Sequence, residues 1–388
     1  MNKKSIYFPS NKPSSDSAMK LIVILTALAV ATTPTSGAAP DIDAAITRGV
    51  DFLIGHQNIN GSWGGPTRTK GLNIYAPLPD AHQGYLIASS SIALQGLLEC
   101  RDQRPATLDA IRKGEAWLLN ILPKTRNITR RANYNIWGHA YGLRALASLY
   151  RHHRDPAQRA EYKRQALIQI HYLEHDEDIN RGWGYYDFDG VTQKPSGTIT
   201  SFTTGTVMLA MYDAAHTMGI TLPQSLTNRA VRCLQEQRTP DFSYVYSRGF
   251  RYRPRSLINR PAGSLGRSQV CNAALRAFGD DAITNDVLRT WLQRLFDRNG
   301  WLDHGRKRPI PHEAPAQVAG YFYYYGHYYA SECILMLPEN ERGAWKQKLA
   351  TLLIPKQEKN GSWWDFPLYD YHYAYGTGYM LTILSRCQ

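Results

Sequence analysis

Tyrosine and histidine crowd the last quarter of the chain. Tyr321, Tyr323, Tyr324, Tyr325, His327, Tyr328 and Tyr329 fall within nine residues, and Asp370, His372, Tyr373 and Tyr375 follow before the end. Tyrosine or histidine near arginine can take a proton from a carbon beside a carboxylate, because a ring nitrogen or phenolate held at hydrogen-bonding distance acts as a general base. His327, His372, Asp370 and Tyr324 are the candidate catalytic set. His327, His372 and Asp370 would also offer a zinc ion three nitrogen or oxygen ligands with room for water. Histidines in an aromatic cluster more often serve as hydrogen-bonding groups, so neither a metal nor another cofactor is expected.

Similar residues recur upstream: His82, Gln83 and Tyr85, then Trp137, His139 and Tyr141, then Ser201, Phe202 and Thr203, then Arg267 and Gln269. The Pro-stiffened loop from Trp301 to Glu313 offers Arg306, Arg308, His312 and Glu313 as a charged lip; equally, it is a surface loop whose charges pair with each other. The candidate ligand-binding set is His82, Tyr85, Trp137, His139, Tyr141, Arg267, Arg306, Arg308, His312, Glu313 and Tyr375. Aromatic stripes are core packing by default. Here 25 Tyr against 10 Phe point to hydroxyls in use, hence to a polar cavity that holds a hydroxyl-rich ligand.

What positions these residues is an internal repeat of about 60 residues, each unit one supersecondary element. Its first half is amphipathic, at 41–56, 107–121, 158–174, 222–237, 283–298 and 341–357; Ile46, Val50 and Leu53 illustrate the helical spacing. The second half is small, apolar and poor in charge, at 83–99, 138–150, 201–215, 266–278, 318–337 and 374–386. It reads as helices buried on most sides. A wet helix followed by a dry one, about six times over, predicts an all-α, double-ringed (α/α)6 toroid as a single domain over 41–388. An open superhelix would need polar capping repeats, and neither end is more polar than the middle. In a toroid the starts of the inner helices share one mouth, where the candidate residues would converge, chiefly from the fifth and sixth inner helices.

Gln57-x-x-x-Gly61-x-Trp63 and Gln357-x-x-x-Gly361-x-Trp363 join the two halves, with weaker versions at Gly182-Trp183-Gly184 and Asn299-Gly300-Trp301. The Gly permits the turn, the Trp packs over the Gln, and the Gln is expected to bond the free amides that open a helix. On these motifs the chain resembles the terpenoid cyclase and protein prenyltransferase repeat family, whose squalene and hopene cyclases carry this QW repeat. Tyr375-Gly376-Thr377-Gly378-Tyr379-Met380-Leu381 resembles the family's last inner helix. The resemblance implies an isoprenoid enzyme, but its chemistry is missing from the motifs. The cyclase acid would sit in Asp-x-Asp-Asp; Asp176-Glu177-Asp178-Ile179 lacks the last Asp and reads as a solvated acidic loop. In the prenyltransferases, Asp370-Tyr371-His372-Tyr373 would place His372 at the histidine zinc ligand, while Gly326-His327-Tyr328 stands where Asp-Gly-Cys is expected.

The flanks and composition bound the rest. A basic start, the apolar run Leu21–Ala31 and the small residues up to Ala39 form a signal-peptide pattern over 1–39. The run falls short of the roughly 20 residues that span a bilayer. Met1 and Met19 are the two alternative starts of translation. Export to the periplasm or beyond disfavours a nucleic-acid partner. The net charge of +13 suits anionic glycans or peripheral contact with lipid headgroups. The five cysteines have neither zinc spacing nor the density of a disulfide framework, and they read as small hydrophobes. Three readings follow: an exported toroid that binds or processes a hydroxyl-rich, anionic ligand such as a polysaccharide; an isoprenoid enzyme without the usual acid and zinc motifs; and a non-catalytic envelope scaffold with a tyrosine-plugged centre.

Overall fold

The computed structural model describes residues 41–70, 81–125, 127, 134–184, 194–313 and 315–388. The expected leader at 1–39 lies outside them. Thirteen α-helices are present among these residues, linked by turns, short 3-10 segments and isolated bridges.

Side-chain caps open three of the six outer helices. In α1 (Ile42–Gly55) the Asp41 carboxylate accepts from the Ala44 amide at 2.9 Å. In α5 (Pro156–His175) Asp155 caps Ala157 and Pro156 takes the first position, where no amide is needed. With α3 (Pro105–Ile121), α7 (Gln224–Gln237), α9 (Asn285–Asp297) and α12 (Glu339–Leu353), these form the outer ring, each burying one face.

The inner helices are α2 (Ala81–Cys100), α4 (Asn135–His152), α6 (Ser201–Met218), α8 (Leu265–Ala277), α11 (Phe322–Leu335) and α13 (Tyr371–Cys387). They are buried nearly all round, as their low charge requires. In space α2 packs on α4, α4 on α6, α6 on α8, α8 on α11, α11 on α13, and α13 back on α2. That cycle is the toroid. Small residues seal its last seam: a Cβ on Gly378 would lie 2.4 Å from the Ile92 carbonyl oxygen, and one on Gly96 2.8 Å from that of Gly378.

Three turns share one geometry. The indole nitrogens of Trp63, Trp183 and Trp363 donate to the carbonyls of Leu53, Leu173 and Leu353, ten residues back in each case. Their amides donate to Ser90, Thr204 and Thr377 on the inner helices. Gly61 and Gly361 take φ of +95° and +91° with a neighbouring backbone on the side where a Cβ would stand. The glutamines act opposite to expectation. Gln57 Nε2 donates to the carbonyls of Gly61 and Ala110, and Gln357 Nε2 to those of Gly361 and Ala45, so each ties its turn to the next outer helix. Asn299-Gly300-Trp301 is no such turn. It lies in a short helix, α10 (Asn299–Gly305), and Trp301 is 48% exposed.

Asp176, Glu177 and Asp178 are buried rather than solvated. Asp176 bonds His175, Glu177 accepts from Arg229 through both oxygens, and Asp178 accepts from the Asn180 amide. Here the charge run is the internal frame of a tight turn. All five cysteines are free thiols, with burial raising the pKa of each.

Candidate functional site

The inner helices run parallel, so their first turns meet at one end of the ring and enclose a cavity of about 160 Å³. Twelve of its sixteen lining residues are aromatic: eight Tyr, three Phe and Trp137. The remainder are Ala88, Ser89, Ile92 and Leu368. Helical period explains the selection, since residues three or four apart share a face. Tyr371, Tyr375 and Tyr379 line it from α13, Trp137 and Tyr141 from α4, Tyr85, Ala88, Ser89 and Ile92 from α2, and Phe322 and Tyr325 from α11, with Tyr321 just before.

Several hydroxyls of this wall are held by the protein. The Tyr371 hydroxyl lies 2.9 Å from His82 Nδ1, Tyr325 donates to the Phe202 carbonyl at 3.0 Å, and Tyr375 donates to Asp365 Oδ1 at 2.7 Å. Ser89 Oγ donates to the Trp63 carbonyl. Tyr379 bonds Tyr141, and a tyrosine layer closes the floor, where Tyr329 donates to Thr206 and Tyr328 to Gln95. Below that layer Arg144 forms a bidentate pair with Glu332 at 2.6 and 3.0 Å, braced by Arg386 at 3.3 Å.

Of the expected ligand-binding set, Tyr85, Trp137, Tyr141 and Tyr375 line the cavity. The others stand behind or away from the wall. His82 supports Tyr371 from behind. His139 turns outward to Gln169 at 2.8 Å. Arg267 is buried and donates to the carbonyls of Tyr244, Gly263 and Ile258, with burial drawing its pKa down to about 10; it ties down the preceding loop. Arg306 pairs with Asp303 and Arg308 with Glu313, which is the self-paired form of that loop. His312 bonds the Gln317 carbonyl and the Tyr321 hydroxyl, and burial pulls its pKa to about 4.

None of the expected catalytic residues faces the cavity. His327 is buried between the Tyr323 carbonyl (2.7 Å) and the Asn299 amide (2.8 Å), and desolvation holds it neutral with a pKa of about 4. Its place one helical turn after Tyr323 sets it on a different face from Tyr321 and Tyr325. His372 is one residue from Tyr371 and so about 100° round the helix; it packs in tilted contact with Trp364 and Tyr373, at 5.0 and 4.1 Å between ring centres. Asp370 precedes α13, half-buried, with its pKa raised by burial. Tyr324 is buried beside Asp365, to which its amide donates. No group of three or more His, Cys, Asp or Glu side chains able to hold a metal occurs among the described residues. The zinc alternative for His327, His372 and Asp370 therefore has no geometry behind it.

Asp365 is the residue that sequence reasoning passed over. It is fully buried, accepts from Tyr375 Oη at 2.7 Å and from the Tyr324 amide at 2.9 Å, and desolvation pushes its pKa up to about 7. Its only sequence signal is a carboxylate in an otherwise aromatic stretch, Trp363-Trp364-Asp365-Phe366. The folded pKa lies above the unfolded one, so the native state holds the proton longer. Stability then falls as pH rises from the ordinary aspartate range to about 7. Urea melts at about pH 5 and about pH 8 will show Asp365→Asn removing a loss on the order of a few kcal/mol. An unchanged pH slope in the variant would refute this assignment.

No protein-family model and no characterised sequence matches the chain. Solved structures do match in fold. Cellobiose 2-epimerase from Spirochaeta thermophila superposes with a TM-score of 0.55 at 13% identity, over 89% of this chain and 95% of that one. The GH76A α-1,6-mannanase of a Salegentibacter species gives 0.53 at 9%, over 89% and 99%. A family 76 glycoside hydrolase from Bacteroides thetaiotaomicron gives 0.54 at 10%, over 88% and 77%. At such identities the likeness is one of fold: this chain is a helical toroid.

Proposed function

We propose that the toroid binds a small ligand of isoprenoid class, an apolar and unsaturated body held by ring faces, in the cup at its N-terminal mouth. The observation that carries this is the wall. Apart from Ser89 it consists of aromatic and aliphatic side chains, with no charged residue among them. Burying apolar ligand surface against such a wall contributes roughly 25 cal/mol per Å², and aromatic faces pack against the flat, apolar double bonds of unsaturated chains. The cations expected to attract an anionic glycan are engaged with Asp303, Glu313 and backbone carbonyls. The QW-like turns agree with an isoprenoid reading.

A second reading has its own support. The epimerase and the mannanases share the fold, and aromatic faces also stack on sugar rings, so a neutral glycan is the competing occupant. Thermal shifts against farnesol, geranylgeraniol, mannotetraose and an oligogalacturonide separate these. A saturable rise in Tm with the isoprenoids alone is the expected result. A rise with the mannoside alone would replace the first reading with the second, and a rise with the uronide alone would restore the anionic one.

Export accompanies the proposal: residues 1–39 carry the leader pattern, and no described helix is long and apolar enough to cross a membrane. The basic chain would meet lipid headgroups as a peripheral partner.

A further inference from the structure

Asp365 sits in the loop that precedes α13, outside the cavity wall but joined to it by one hydrogen bond, to Tyr375. A buried ionised carboxyl without an ion pair is costly even when it is hydrogen-bonded. Its structural duty is small. Asparagine could hold the same place, its carbonyl oxygen accepting from the Tyr324 amide in the first turn of α11 and its NH2 donating to the Tyr375 oxygen. The groups around it do not neutralise it either. Arg306 is committed to Asp303, the Lys307 ammonium to Glu358, and Tyr323, Tyr324 and Tyr375 are neutral phenols in the physiological range. A carboxyl has been kept where an amide would cost less, and the difference between the two is a transferable proton.

We propose that Asp365 and Tyr375 form a switchable hydrogen-bond donor for the cavity, which selects a ligand carrying an acceptor oxygen, a carbonyl or ether, on an otherwise apolar body. This rests on the reading of the cavity as a site for apolar ligands and names the one polar feature that such a ligand would have. With Asp365 ionised, the Tyr375 hydroxyl donates to the carboxylate and shows the cavity only lone pairs. With Asp365 protonated, its own O–H donates to Tyr375 Oη while the other oxygen still accepts from the Tyr324 amide. The phenolic proton is then free to turn into the cavity. No covalent bond changes beyond the protonation of Asp365 by solvent, and the donor is present only in the acid form. A ligand that offers only hydroxyl donors would gain from the opposite form.

The test compares geranylacetone, a ketone, with its matched hydrocarbon, both followed by quenching of tryptophan fluorescence, for which Trp137 in the wall is the reporter. The wild-type chain should bind the ketone about tenfold more tightly at about pH 5.5 than at about pH 8.5, with the hydrocarbon nearly insensitive to pH. Asp365→Asn should abolish the pH dependence of ketone binding. Tyr375→Phe should collapse the ketone-to-hydrocarbon affinity ratio towards unity at low pH. Infrared difference spectra give a ligand-free readout: a protonated carboxyl band that titrates near neutrality and is missing from Asp365→Asn. Hydrocarbon binding with equal, pH-independent ketone binding would overturn the switch alone. Failure of both probes to bind would overturn the cavity reading and the switch together. Asp178, whose pKa burial raises to about 6, adds a band of its own, so a spectrum unchanged between wild type and Asp365→Asn would remove Asp365 as a source.

Discussion

Replacing Glu332 with alanine lowers the unfolding free energy by about 3–5 kcal/mol, because it strands the Arg144 guanidinium in the floor of the ring. The Arg144 side chain is only 4% exposed; it donates to both oxygens of Glu332 and, at 3.0 Å, to the Tyr328 hydroxyl, which carries no compensating charge. Without Glu332 the variant carries the desolvation of a buried cation that has lost its counter-charge. The double variant Arg144→Met with Glu332→Leu should recover most of the loss, since well-packed apolar residues often replace a buried pair at no net cost. Urea melts of the three chains decide the point. A single variant within about 1 kcal/mol of wild type would mean that the pair is wetter than its geometry implies.

Gly378→Ala has the second large effect, through the seam where the last inner helix meets the first. The added methyl carbon would lie 2.4 Å from the Ile92 carbonyl oxygen and 2.8 Å from the Ala93 Cα. These are backbone atoms of a packed helix and cannot swing aside. Overpacking usually costs about 1–3 kcal/mol, and a backbone clash at the closure of the ring belongs at or above the top of that range. Hydrogen exchange should show lost protection concentrated in α1, α2 and α13. Gly300→Ala is the control: it lies in α10 with open space around it, and helix propensity predicts a neutral change or a gain of about 0.5–1 kcal/mol. Equal melts for the two variants would contradict the seam.

These positions also show what could be read from the chain alone. The alternation of half-wet and dry helices follows from burial, which sequence records directly, and the twelve long helices lie within a few residues of the segments it marks. The turns at Trp63 and Trp363 follow from a fixed spacing. The site was harder. Grouping Tyr, His and Arg by composition ignored which helical face each occupies. Tyr371, Tyr375 and Tyr379 keep the period of four that turns them inward, whereas His372 and His327 fall on other faces and pack among outer elements. Trp301 shows the converse failure, a motif fragment that folded as helix. Asp365 carried no periodic signal, since it acts from a loop, and its environment exists only once α11 and α13 meet.

The high tyrosine content misled for a related reason. A hydroxyl counted in composition is available to a ligand only if the protein does not use it, and here Tyr371, Tyr325, Tyr379 and Tyr141 bond one another or nearby side chains and carbonyls. The rings are left facing the cavity, so residues that read as polar make an apolar wall.

Photo-crosslinking with a diazirine-bearing farnesyl analogue tests that wall most directly. Adducts mapped by mass spectrometry should fall on the inner-helix peptides that contain Trp137, Tyr141, Tyr371 and Tyr375, and excess unlabelled farnesol should suppress them. Adducts confined to the outer helices, or undiminished by the competitor, would contradict the aromatic cup as the binding site.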